Sequence, residues 1–128
     1  MTTKKKKVSS FVIDRAIWGR GRGDGKGVLL GDDDCRCCVG IYLKACGVPD
    51  DVMKGVDTAY KLKFNLPTET AWLKSDRFNS TVNKLYGVND DLLTDLNIPK
   101  ETYRESMVQR LFAEENITVT FEGPKSKP

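Results

Sequence analysis

The chain has 128 residues, 39% of them hydrophobic, with five Phe, four Tyr and two Trp, which suits one compact domain and is too short for two ordinary ones. Its composition is not that of a disordered chain, and no run approaches the 18 apolar residues of a membrane span. The formal net charge of +3 comes from the ends: setting aside Lys4 to Lys7, Lys125 and Lys127 leaves 15 Lys and Arg against 18 Asp and Glu, so the body is mildly acidic and a duplex-binding role is disfavoured.

Residues 1–8 read as a disordered basic tail, 9–123 as a single α+β domain, and 124–128 as a C-terminal tail. The N-terminus lacks the apolar stretch of a signal peptide. A reducing, cytosolic setting is the expectation, with all four cysteines as thiols. "SFVID" places Phe11 and Ile13 on one face of a short strand, and Asp14 is placed to cap a turn that carries Trp18. "GRGRGDGKG" from Gly19 to Gly27 is too rich in glycine for a regular element and reads as a loop. "VLL" at 28–30 reads as a short strand.

"CRCCVGIYLKACG" predicts a helix from about 35 to 46. Asp34 is its expected N-cap, Cys38, Ile41, Tyr42, Ala45 and Cys46 its apolar stripe, and Gly47 its C′ residue. "VPDDVMKG" reads as one more helical turn. Residues 56–75 read as loop with room for a short strand near Trp72. Phe78, Val82, Leu85 and Tyr86 predict a helix that Ser75 or Asp76 opens and Gly87 stops, and "VNDDLL" reads as a turn. From Pro99 the pattern predicts a long helix with a stripe of Tyr103, Met107, Val108, Leu111 and Phe112. "ITVTFEG" alternates as a half-buried strand. Together these elements predict an α+β fold, a small and mostly antiparallel sheet with two or three helices packed on one face.

The stretch "DDDCRCCVG" invites a metal or thiol reading. The chain has no histidine, so zinc would need all four cysteines. On one straight helix Cys38 and Cys46 stand about 12 Å apart at 1.5 Å per residue, whereas two sulfurs on one tetrahedral zinc lie about 4 Å apart. The same span excludes a disulfide between them. Three aspartates oppose thiolate formation, and no histidine is present as a base. Cys38 and Cys46 therefore read as small buried hydrophobes and Cys35 as exposed, with neither metal nor cofactor expected and no catalytic residue assigned.

The binding candidate is "WGRGRGDGKG". Arg20, Arg22 and Lys26 place cations on a chain able to turn its N–H groups inward around an anion, with Trp18 beside them as a stacking surface. It lacks the G-K-[ST] of a phosphate-binding loop and the third glycine of a dinucleotide fingerprint. "GDDD" and "NDD" do not fit calcium-loop spacing, and "RGD" at 22–24 is too short a match to carry weight.

"FVIDRAIWGRG", "RCCVGIYLKACGVPDD", "VNDD" and "RLFAEENITVTF" resemble, in that order, a group of small uncharacterised bacteriophage and prophage proteins with a central CCxG…ACG helix. The resemblance implies a viral protein acting in a bacterial host cytoplasm. By analogy it implies a non-enzymatic accessory protein that engages a host protein or sequesters a small anionic, nucleotide-like ligand. Two alternatives stay open: a small hydrolase using carboxylates without histidine, and a weak nucleic-acid binder using the Lys4 to Lys7 run. No membrane partner is expected, and self-association is left open.

Overall fold

The computed structural model describes residues 9–21, 28–31, 34–62, 68–73, 80–90 and 100–124. The tail readings, Pro124 apart, lie outside these residues, as does the reading of Phe78 and of Ser75 or Asp76 as a helix start.

Alternation of apolar and polar residues at the two ends of the domain produces its two strands. In β1 (Ser10–Asp14) Phe11 and Ile13 are buried, and Ser10, Val12 and Asp14 are exposed. In β2 (Thr118–Glu122) Val119 is buried and Phe121 half-buried, while Thr118, Thr120 and Glu122 are exposed. The strands pair in parallel, from Ser10 opposite Thr118 to Asp14 opposite Glu122. The antiparallel expectation is thus corrected. Alternation of period two decides which face is buried but carries no information about strand direction. Direction is set by how the intervening chain returns. The predicted strand at 28–30 reduces to one isolated bridge between Leu30 and Lys54.

Helices cover the buried face of the pair. Helix α1 (Cys38–Ala45) packs against β1, and α4 (Lys100–Ala113) against β2 and against α3 (Ser80–Asp90). A short α2 (Asp50–Met53) follows α1, as the "VPDDVMKG" reading expects. The elements meet in an aromatic cluster. Phe11, Tyr42 and Phe112 lie with ring centroids 5.0 to 5.4 Å apart, and Trp72 adds contacts of 5.8 Å to Tyr42 and Phe112. Such tilted and edge-on pairs add about 0.5–1.5 kcal/mol each beyond the burial of their area. Trp72 reaches the cluster from a 3-10 helix, Thr68–Leu73, where a short strand was expected. Thr70 and Leu73, three residues apart, both point inward, the spacing of a 3-10 turn and not of a strand.

Helix α1 is buried on almost every side, from Cys38 through Leu43, while Ala45 is exposed. It is a core helix, so the single stripe expected from spacing understates its burial. Gly40 explains the closeness of its packing: a Cβ built there would stand 1.9 Å from the Leu29 carbonyl oxygen. The helix ends as expected at Gly47, whose φ of 95° favours glycine. Gly47 N donates to Lys44 O and Val48 N to Leu43 O, which closes a Schellman motif. The same motif ends α4 with Asn116 in the glycine position, at φ 62°. Asn116 N donates to Ala113 O and Ile117 N to Phe112 O, and buried Ile117 leads directly into β2.

Two helix boundaries depart from expectation. Helix α1 starts at Cys38, and Asp34 sits outside it with φ 65°. Helix α3 runs through Gly87 to Asp90, so Gly87 does not stop it and "VND" is its last turn. No helix among the described residues is long and apolar enough to cross a membrane.

Candidate functional site

The described residues that precede the glycine-rich stretch are tied into the fold by a buried polar frame. After β1, Asp14 turns the chain: its Oδ1 accepts from Ala16 N at 2.9 Å and its carbonyl from Ile17 N at 3.0 Å. This delivers Trp18 into the core at 3% exposure. Arg36 N then donates to Ile17 O and Gly19 N to Arg36 O, which ties this segment to the approach to α1.

Asn89, fully buried near the end of α3, is the centre of the frame. Its Oδ1 accepts from the Trp18 indole N–H at 2.7 Å and from Cys38 N at 2.9 Å. Its Nδ2 donates to Gly19 O at 3.0 Å and to Asp90 Oδ1 at 2.9 Å. Both acceptor positions and both donors of the amide are therefore used. The bond to Cys38 N also caps α1. Cys37 stands at the N-cap with no side-chain cap of its own, and an asparagine from α3 supplies what Asp34 was expected to supply.

An arginine–glutamate ladder closes the frame from α4. Glu101 lies between two arginines, accepting from Arg20 Nε at 2.6 Å and from Arg104 Nε at 3.4 Å. Arg104, 2% exposed, also donates to Val88 O at 2.6 Å and Asn89 O at 3.0 Å, which occupies carbonyls at the end of α3. Arg20 donates to Trp18 O at 2.9 Å, and its guanidinium lies 4.4 Å from the Trp18 ring centroid. One turn further along α4, Glu105 takes both Arg15 Nε and Arg15 Nη2, at 2.8 and 2.9 Å. The interaction with Glu105 pushes the Arg15 guanidinium above its usual range.

Gly21, the last described residue before residues 22–27, is held in the frame: its N–H donates to Asn89 O at 2.8 Å and its φ is 66°. On the far side of residues 22–27, the Val28 carbonyl accepts from Cys37 N at 3.0 Å and Leu29 N–H donates to Val56 O at 2.8 Å. Of the four expected binding residues, Trp18 and Arg20 are framework. A tryptophan with 3% of its surface exposed offers no stacking face to a base, and Arg20 is committed to Glu101 and the Trp18 ring. Arg22 and Lys26 lie outside the described residues.

The cysteine cluster is structural in its surroundings. Cys37, Cys38 and Cys46 are buried, Cys35 is partly buried, and none of the four is in a disulfide. Burial pushes the Cys37 thiol up to about 12, against the N–H groups of Val39 and Gly40 that favour the thiolate, and pushes Cys38 up as well. Both are therefore thiols at neutral pH, which removes the nucleophilic form. Among the described residues no group of three or more Cys, Asp or Glu is placed to hold a metal ion. Next to the cluster, Asp50 Oδ1 receives Arg36 Nη2 at 2.9 Å and Lys44 Nζ at 3.1 Å. Burial raises the Asp50 carboxyl, but the bonds from Lys44 and Arg36 outweigh it and hold the group below its usual range.

Asn89, Glu101, Arg104 and Glu105 were not singled out in the sequence. Arg104 carried a signal: with Val108, Leu111 and Phe112 it falls at i, i+4, i+7 and i+8, on the buried stripe itself. Tyr103 and Met107, read as stripe residues, are only partly buried. Asn89 gave no local signal, because the groups it ties into the frame, on Trp18, Gly19 and Cys38, are 51 to 71 residues away.

The frame belongs to an α+β scaffold and anchors the chain at Gly19 and Gly21, where the glycine-rich stretch begins. No family model, curated protein or solved structure matches the chain.

Proposed function

We propose that the chain is a non-enzymatic binding protein, a phage accessory protein of the bacterial host cytoplasm. Its glycine-rich loop presents Arg22 and Lys26 to a small anionic, nucleotide-like ligand or to an acidic surface of a host protein. The observation that carries this reading is the frame. Buried Arg104, half-buried Arg20, a tryptophan and an asparagine are spent on fixing the chain at Gly19 to Gly21, where the glycine-rich stretch begins. Loops positioned by a rigid scaffold are where binding residues concentrate. Arginine supplies paired, charge-assisted hydrogen bonds to an oxyanion, and glycine lets backbone N–H groups approach it closely.

The surroundings of the other candidates favour binding over hydrolysis. Glu101 and Glu105 are each held by arginine, and the Cys37 and Cys38 thiols are raised. The test is to purify the full chain from bacterial cytosol, denature it, and identify released anions by mass spectrometry. The Arg22→Ala, Lys26→Ala variant is treated identically, with Arg20 left in place because it belongs to the frame. A single anionic species near one per chain, lost from the double variant, is expected. The same species retained by the double variant would remove the loop from the reading.

A further inference from the structure

The two strands have unequal outer edges. Ser9 O accepts from Thr118 N, and Arg15 N donates to Glu122 O. In a parallel pair, alternate residues bond to the same neighbour, so Ser9, Phe11, Ile13 and Arg15 face β2. Ser10, Val12 and Asp14 turn their backbone groups the other way. Asp14 O takes Ile17 N, but no described residue meets the N–H or C=O of Val12. The outer edge of β2 is guarded, with Gln109 Nε2 on Val119 O at 3.0 Å and Ile117 N on Phe112 O. Val12, 44% exposed, and Ile17, 37% exposed, are the exposed large hydrophobic residues among those described.

The geometry points to the outer edge of β1 as a self-association surface, on which the β1 strands of two copies pair antiparallel about a two-fold axis through Val12. Unpaired backbone N–H and C=O groups in an extended strand are satisfied by another strand. The sequence "SFVID" meets its own copy well. Val12 falls opposite Val12, an apolar cross-strand pair. Ser10 falls opposite Asp14 of the second copy, a hydroxyl facing a carboxylate. Val12 pairs with Val12 by two bonds and Asp14 N–H donates to Ser10 O on each side, roughly four bonds in total, since Asp14 O is already taken by Ile17 N.

Charge selects the antiparallel direction. A parallel alignment would set Asp14 beside Asp14. The antiparallel one separates the two Asp14 residues by about 13 Å along the strands, beyond the ~8 Å screening length at physiological salt. An axis perpendicular to the sheet keeps Phe11 and Ile13 of both copies on the same side, so neither core is disturbed. The product is a continuous sheet in the order β2-β1-β1-β2, with its helices on one face. This surface is separate from the glycine-rich loop and does not rest on the loop's role.

Sedimentation equilibrium of the wild type, Val12→Pro and Val12→Lys across a concentration series tests the pairing. The Val12 N–H faces away from β2, so proline there removes no bond of the existing ladder, and lysine would oppose its like charge across the axis. A wild-type dimer whose dissociation constant rises by at least about tenfold in both variants, with unchanged circular dichroism and melting, is expected. Should proline disturb the fold, the lysine variant decides. Oxidation adds a register test. Directly opposed residues of a hydrogen-bonded pair have Cα atoms about 5.5 Å apart, within disulfide reach. Val12→Cys should give a covalent dimer, while Ser10→Cys and wild type, treated alike, should not. A monomeric wild type, a dimer indifferent to both substitutions, or a monomer that takes up only a strand of another protein would each overturn the proposal.

Discussion

Replacing Asn89 by alanine should be among the most damaging single changes this fold can suffer. The substitution removes one amide and leaves three buried main partners without their bonds: the Trp18 indole N–H, the Cys38 backbone N–H and the Gly19 carbonyl. Each orphaned buried group costs about 1–3 kcal/mol. Water entering the vacated space would recover part of this, so about 3–5 kcal/mol is the expected loss. That is a large share of the ~5–15 kcal/mol that holds a typical domain together. Urea unfolding followed by far-UV circular dichroism measures it as a lowered midpoint at unchanged slope. Trp18→Phe keeps an aromatic ring but drops the N–H and the second ring, leaving Asn89 with one unused acceptor position and a small cavity, and should cost about 2–4 kcal/mol. Because both changes break the same bond, the double variant should be less damaged than their sum by about 1 kcal/mol or more. A loss below about 1 kcal/mol for Asn89→Ala, or strict additivity with Trp18→Phe, would refute the account of the frame.

The two helical glycines should respond in opposite directions. Gly40→Ala places a Cβ on the Leu29 carbonyl and should prevent folding at ordinary temperature, read as loss of the cooperative melting transition. Gly87→Ala meets nothing within 4 Å and should stabilise by about 0.5–1 kcal/mol through helix propensity. The buried thiols predict an alkaline limit. A proton is held more tightly in the folded than in the unfolded chain between the ordinary thiol value of 9.0 and about 12 for Cys37. Stability should therefore fall as pH rises through that window, by up to ~1.4 kcal/mol per unit per thiol, and Cys37→Ala should flatten the slope. Placing a charge in the same core by Cys38→Asp should unfold the chain, seen by circular dichroism. Chelator should leave the melting temperature unchanged, since α1 is capped by Asn89 and not by a metal.

What the sequence determines by itself is what depends on neighbours along the chain. Alternation in "SFVID" and "TVTFE" selects which faces of β1 and β2 are buried, because side chains of a strand alternate whatever it pairs with. Gly47 ends α1 because a positive φ is a local demand, and the turn after β1 follows from Asp14 in the same way. The tertiary structure decides what depends on partners far away in sequence. Alternation does not encode the direction in which β1 meets β2. Gly87 stays helical because Val82, Leu85 and Asn89 are held on one face by α1 and α4, and packing outweighs the roughly 1 kcal/mol propensity of one glycine. The Trp18 and Arg20 of the basic loop look like ligand residues in one dimension. In three dimensions they are taken by Asn89 and Glu101, because a buried indole N–H and a guanidinium must find acceptors, and those acceptors arrive from α3 and α4.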